Sequence, residues 1–199
     1  MTFTRNDAYL LMCEFVQNTN LRNHMLAVET AMAFYARQLA PDEVDTWKIA
    51  GLLHDFDWEI HPTKEEHPML GAAILRERLV PEEIIRAILS HGEETGFARI
   101  SLMEKALYAC DEITGLITAV ALVRPSKSLL DLKASSIKKK WNNLNFAAGA
   151  NRMEMQQGAA EFGIDLWDHI TNVITAMQSI AAEIGLAGQE QIIRQGEGQ

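Results

Sequence analysis

Strand signals are nearly absent from this chain, while helix punctuation recurs along it. Pro41 stands before Asp42-Glu43, Pro68 and Pro81 fall at first-turn positions, and Gly92, Gly163 and Gly185 sit where helical patterns stop. Punctuation of this kind leaves one architecture open, and the fold is predicted to be an all-α, single-domain helical bundle. The apolar periodicity places helices near residues 5–18, 23–39, 42–55, 68–79, 81–91 and 100–123, followed by a C-terminal group. Asn151 with Glu154, and Asp165 ahead of a helical run, mark the caps of two helices in that group. Residues 126–149 mix Ser, Lys and Asn with isolated apolar residues and read as a loop or a short helix over the functional site. The polar residues 188–199 read as a flexible tail, which leaves 1–187 as the domain, with its motif-bearing core at about 20–125 and C-terminal helices over 126–187.

A chain of 199 residues with 48% apolar residues supplies one sizeable core. Its first residues lack a basic segment followed by an apolar stretch, and no run is read as long enough to span a bilayer, so the expectation is a cytoplasmic protein with no membrane partner. Cys13 and Cys110 stand far apart and read as core thiols. A net charge of −9 argues against a broad nucleic-acid surface, which needs clustered Lys and Arg. The one basic concentration runs from Arg124 through Lys127 and Lys133 to Lys138-Lys139-Lys140. It reads either as a solvated helical face or as a phosphate clamp, and Arg124 and Lys127 are its candidate substrate contacts.

The chemistry concentrates elsewhere. The segment Trp47–Leu53 is a helical run that turns polar only at the adjacent pair His54-Asp55. His24 opens the apolar-periodic run that follows it, His67 precedes Pro68, and His91 precedes Gly92. Two short helices joined by a tight turn between Leu79 and Pro81 bring the start of one beside the end of the other, and so His67 beside His91. Asp111 lies inside a long apolar helix, where a carboxylate asks for a partner. Taken singly, each histidine is an ordinary core or surface residue. Together, these six residues of ligand type read as one site for zinc, iron or manganese.

The order His24, His54-Asp55, Asp111 resembles the signature of the HD superfamily of metal-dependent phosphohydrolases over roughly residues 20–125. His67 in His-Pro-Met-Leu-Gly and His91 in Ile-Leu-Ser-His-Gly look like the two histidines that a subgroup adds for a second metal, and the stretch also looks like a small branch of predicted hydrolases. The resemblance implies an HD-type bundle with a dinuclear site, Asp55 bridging, His24, His54 and Asp111 on one ion and His67 and His91 on the other. His91-Gly92-Glu93 departs from the His-His-Glu of cyclic dinucleotide phosphodiesterases. Phe56-Asp57-Trp58-Glu59 lacks the Glu-Asp pair of guanosine tetraphosphate hydrolases. The spacing is closer to the group that splits diadenosine tetraphosphate symmetrically.

Two divalent ions about 3.5 to 4 Å apart can share a hydroxide and aim it at phosphorus. The predicted function is therefore hydrolysis of a small phosphorylated metabolite or nucleotide, with Asp55 as the bridging catalytic residue and Asp57 or Glu112 orienting a ligand or water from behind. The same resemblance implies a second reading, a mixed-valence di-iron oxygenase on a matching ligand set, and a metal-stabilised binding module is the third reading. His61 and His169 fall outside the pattern and read as structural or solvated, with His61 a remote substrate contact.

Overall fold

The computed structural model describes residues 3–188, and among these the only β pairing is a single bridge between Ser128 and Ala187. Nine α-helices carry the rest: α1 (Arg5–Phe15), α2 (Thr19–Leu39), α3 (Val44–Leu53), α4 (Met69–Glu77), α5 (Glu82–His91), α6 (Leu102–Val123), α7 (Ala134–Trp141), α8 (Arg152–Phe162) and α9 (Leu166–Gln178). The all-α expectation agrees with the structure. Of the residues read as a tail, 189–199 lie outside the described part.

Caps fix where the helices begin. Thr4 with Asp7, and Ser101 with Glu104, form reciprocal capping boxes at α1 and α6, while Asn151 and Asp165 accept backbone N–H bonds at α8 and α9. The side chain of Asn18 accepts from Asn20 and Leu21, so α2 starts at Thr19, four residues ahead of the predicted start. His24 is thereby placed in the second turn rather than the first. α3 ends at Leu53, with His54 as its cap and Asp55 in the turn beyond, and Pro68 and Pro81 cap α4 and α5 from just outside them.

The core forms around α2 and α6. Along α2 the buried residues Met25, Val28, Met32, Tyr35 and Ala36 recur at helical spacing, and α6 answers with Leu107, Ile113, Leu116, Ile117 and Val120. Burying a side chain of this size stabilises by about 1.5–3 kcal/mol, so the bundle holds together without help from its polar site. Two close approaches tighten it. A Cβ on Gly51 would lie 2.9 Å from the Glu29 backbone, and one on Gly158 2.9 Å from the Ala109 backbone, so α3 seats on α2 and α8 on α6 through glycine.

At 22 residues and a mean hydropathy of 1.6, α6 is long and apolar enough to cross a membrane, contrary to the expectation that no run is; 61% of that apolar window is buried inside the bundle. Residues 126–149 are also better organised than a loose loop. Leu129, Leu132 and Ile137 are buried, the Leu129 amide donates to the Leu186 carbonyl at 2.8 Å, and a short helix forms as α7, packed on α6 and α9 rather than over the site.

Candidate metal centre

The second turn of α2, the end of α3 and the turn after it, both ends of the α4–α5 pair and the middle of α6 converge on one volume. Nε2 of His24 stands 3.1 Å from Nε2 of His54 and 3.0 Å from Oδ1 of Asp111. Nε2 of His54 is 3.4 Å from both Asp111 Oδ1 and Asp55 Oδ2. The other carboxylate oxygen of Asp55, Oδ1, faces Nε2 of His67 at 3.2 Å and Nε2 of His91 at 3.5 Å, and those two nitrogens are 3.2 Å apart. The donor atoms thus fall into two groups that share Asp55: His24, His54, Asp55 and Asp111, and Asp55, His67 and His91.

The outward nitrogens decide what the inward ones carry. His54 Nδ1 donates to the Gly51 carbonyl at 2.9 Å and His91 Nδ1 to the Ile88 carbonyl at 2.5 Å; a carbonyl only accepts, so the proton is on Nδ1. His67 Nδ1 donates to Asp57 Oδ1 at 2.7 Å. The Thr114 hydroxyl gives its proton to the Asp111 carbonyl at 2.8 Å and accepts from His24 Nδ1 at 3.1 Å. In its neutral form each of the four imidazoles therefore turns an unprotonated Nε2 inward. Lone pairs paired at 3.1 and 3.2 Å repel unless a cation lies among them, and the mix of nitrogen and carboxylate donors fits a divalent transition metal.

Without a metal, protons take that place. Burial opposes charge on His54 but the carboxylates of Asp55 and Asp111 outweigh it, raising its pKa well above the usual histidine value. His67, under the same opposition of burial against Asp55 and Asp57, is raised to about 9. Asp55 and Asp111, despite burial, are held below the ordinary carboxylate range by the histidines around them. A site of this kind exchanges protons for metal.

Glycine positions the support. A Cβ at Gly71 would fall 2.3 Å from Asp57 Oδ2, so only glycine lets α4 pass over the buried carboxylate that holds His67. A Cβ at Gly92 would meet Pro68 at 2.9 Å, closing α5 against the start of α4. Asp57, read from adjacency as a supporting residue, thus holds His67; Glu112 instead accepts the Asn151 amide at 3.1 Å and lines the open space, where burial and the charge of Asp111 push its carboxyl up to about 7.

That open space is a cavity of about 840 Å³ beside the donor groups. Its far wall is the turn 144–151, and its polar lining adds Trp58, Lys64, Glu93, Glu94, Arg152 and Glu154. The structure does not bring Arg124 or Lys127 to it. Arg124 pairs with Asp131 at 2.8 Å and donates to the Ser128 carbonyl, because the chain turns back at the end of α6; Lys127 sits in that turn at a φ of +46°. The basic run of α7 also lies elsewhere, with Lys138 over Trp167 and Lys140 over Phe146. The cations at the cavity are Lys64 and Arg152, and neither they nor Thr114, Trp58 and Glu94 were singled out from sequence. Thr114 alone gave a signal, as a polar residue one turn beyond Asp111 in an apolar helix.

His61 does not line the cavity. His169 is fully buried behind α6: it donates from Nε2 to the Ala109 carbonyl at 2.9 Å and accepts at Nδ1 from the Tyr35 hydroxyl at 2.6 Å. Both cysteines are free thiols, Cys110 buried and Cys13 half-buried against the core.

Residues 21–116 match the family model of the HD domain, and this stretch, which contains all six converging residues, belongs to the HD superfamily. HD domains are generally metal-dependent hydrolases. No curated protein and no solved structure matches the chain.

Proposed function

We propose, with an HD domain as the premise, that the chain is a phosphohydrolase dependent on two divalent metal ions, iron, manganese or zinc, and that it acts on a small phosphorylated metabolite or nucleotide. The observation that carries this reading is Asp55, whose two oxygens face two separate nitrogen groups. His24, His54 and Asp111 would hold one ion and His67 and His91 the other, with Asp55 between them. Such a pair supplies an activated water and positive charge for displacement at phosphorus.

The chain's own part is to hold its groups still. Each imidazole is fixed from behind, by the Gly51 and Ile88 carbonyls, Asp57 and Thr114, so no ligand has to reorganise when substrate arrives. Trp58 packs edge-to-face on His67 with ring centroids 4.9 Å apart, and shields that side of the site from water. Lys64 supplies a cation at the cavity, the role first sought in Arg124 and Lys127.

The experiment is phosphate release from a panel of phosphate esters and anhydrides by metal-replete protein, with oxygen uptake followed in parallel. Phosphate release that needs added metal and consumes no oxygen is the expected outcome. Oxygen uptake without phosphate release would transfer the same ligand set to an oxygenase reaction.

A further inference from the structure

The charges around the cavity are unevenly placed, and they narrow the substrate class within the hydrolase reading, on which this inference rests. Apart from Asp55 and Asp111, four carboxylates line the cavity: Glu93, Glu94, Glu112 and Glu154. Facing them are two cations. Arg152, only 8% exposed, has its fork committed to the far wall, donating to the carbonyls of Phe146, Ala147 and Ala150 at 2.8, 3.1 and 2.5 Å. It holds the turn in shape through Nη1 and Nη2, and its Nε is buried with no hydrogen-bond partner among the described residues. Lys64 makes no hydrogen bond or ion pair among the described residues.

The carboxylates, by contrast, keep capacity to accept. Glu93 is paired with Arg99 at 3.0 Å. Glu112 and Glu154 each engage Asn151 through one oxygen, at 3.1 and 2.6 Å, which leaves the other oxygen without a partner among the described residues. Glu94, exposed at the mouth, has no partner among them at all. A ligand with several phosphates would set its additional negative charges against this acidic lining with Lys64 as the one exposed cation to meet them. A ligand with one phosphoryl group places its charge at the donor cluster and offers the lining something else.

We propose that the substrate is a monophosphate whose remaining part is small and rich in hydrogen-bond donors, hydroxyl or ammonium, which the free oxygens of Glu112, Glu154 and Glu94 accept. A site built to accept such donors rejects an analogue that lacks them, because its own polar groups are then left without partners.

The test uses metal-replete full-length protein, metal in excess, and five compounds: a hexitol phosphate, phosphoethanolamine, phenyl phosphate, adenosine triphosphate and diadenosine tetraphosphate. At least one of the first two is expected to exceed the other three in kcat/KM by about tenfold or more. The hexitol and ethanolamine arms separate hydroxyl from ammonium recognition. Glu94→Gln and Glu154→Gln are expected to lower that preference over phenyl phosphate about threefold or more, with metal content unchanged. Equal turnover of phenyl phosphate, or preference for either polyphosphate, overturns the proposal. Calorimetric binding of the same compounds gives a readout that needs no turnover. Tighter binding of phosphoethanolamine or the hexitol phosphate than of the other compounds would support this ligand class even if no phosphate were released, a result that would overturn the hydrolase reading alone; tighter binding of adenosine triphosphate would overturn the ligand class itself.

Discussion

The two sides of the cavity are made in different ways. On the donor side, six side chains come from α2, the cap and turn that follow α3, the loop before α4, α5 and α6; the four histidines among them are each fixed by a second group, and glycine at 71 and 92 gives those supports room. On the opposite side, Ala147, Ala148, Gly149 and Ala150 present little more than backbone, bent into place by one buried arginine. Under the proposed function, a change on the donor side would cost metal, whereas the far wall could change its contacts and leave the metal in place, so that reaction chemistry and substrate choice would fall to separate regions of one cavity.

Substitutions graded by their effect test this division. The largest loss is expected from Asp55→Ala, which removes the carboxylate shared by both donor groups. Both ions should be lost and activity should fall to background, while circular dichroism shows helix content close to wild type, since the core packs through α2 and α6. Collapse of the helices in that variant would mean that the site, and not the apolar faces, holds the bundle together.

Next come His67→Ala and His91→Ala, each expected to leave one ion of two by elemental analysis, because both residues belong only to the second donor group. Loss of both ions would show that the groups are not separable. Asp57→Asn should weaken binding at that same group by about 10- to 100-fold, the range for removing the partner that orients a metal-bound histidine. Gly71→Ala should act in the same direction, since its Cβ would displace Asp57.

Arg152→Met addresses the far wall, with an expected rise in KM of about tenfold and metal content unchanged. If it lost metal, the two sides would not be independent. The smallest effect belongs to the scaffold behind the site. His169 is buried neutral, and burial lowers its pKa to about 4 from 6.5. The unfolded chain takes up that proton first as pH falls, so the stability this group contributes is present above 6.5 and is lost as pH drops from 6.5 toward 4. Melting temperatures of wild type and His169→Gln across that window should show a shallower decline in the variant.

The donor side was legible in sequence and the wall was not, for the same physical reason. A metal needs particular side-chain chemistry at particular positions, so His24, His54, Asp55, His67, His91 and Asp111 stand out from an otherwise apolar helical text. Helix caps and proline punctuation gave the all-α fold, with bounds displaced by a few residues, as where Asn18 starts α2 at Thr19 rather than at 23 and where α1 stops at Phe15 rather than at 18. The wall acts through backbone shape, so residues 126–149 read only as a loop or short helix over the site, with no side chain to mark which part would close it. Nothing in the sequence marks Arg152, whose three carbonyl partners, all within six residues of it, come together only in space. Arg124 and Lys127 misled because a cation was sought by nearness in sequence to Asp111. The chain turns back on itself at Arg124, and the exposed Lys64, from the loop before α4, reaches the cavity instead.

The central claim is that Asp55 joins two metal sites, and a manganese titration of the apo protein read by electron paramagnetic resonance and elemental analysis tests it directly. The account predicts two ions per chain with a spin-coupled signal in wild type, one uncoupled ion in His67→Ala, and none retained in Asp55→Ala. A wild-type protein that saturates at one ion, or an Asp55→Ala variant that still binds two, would contradict it.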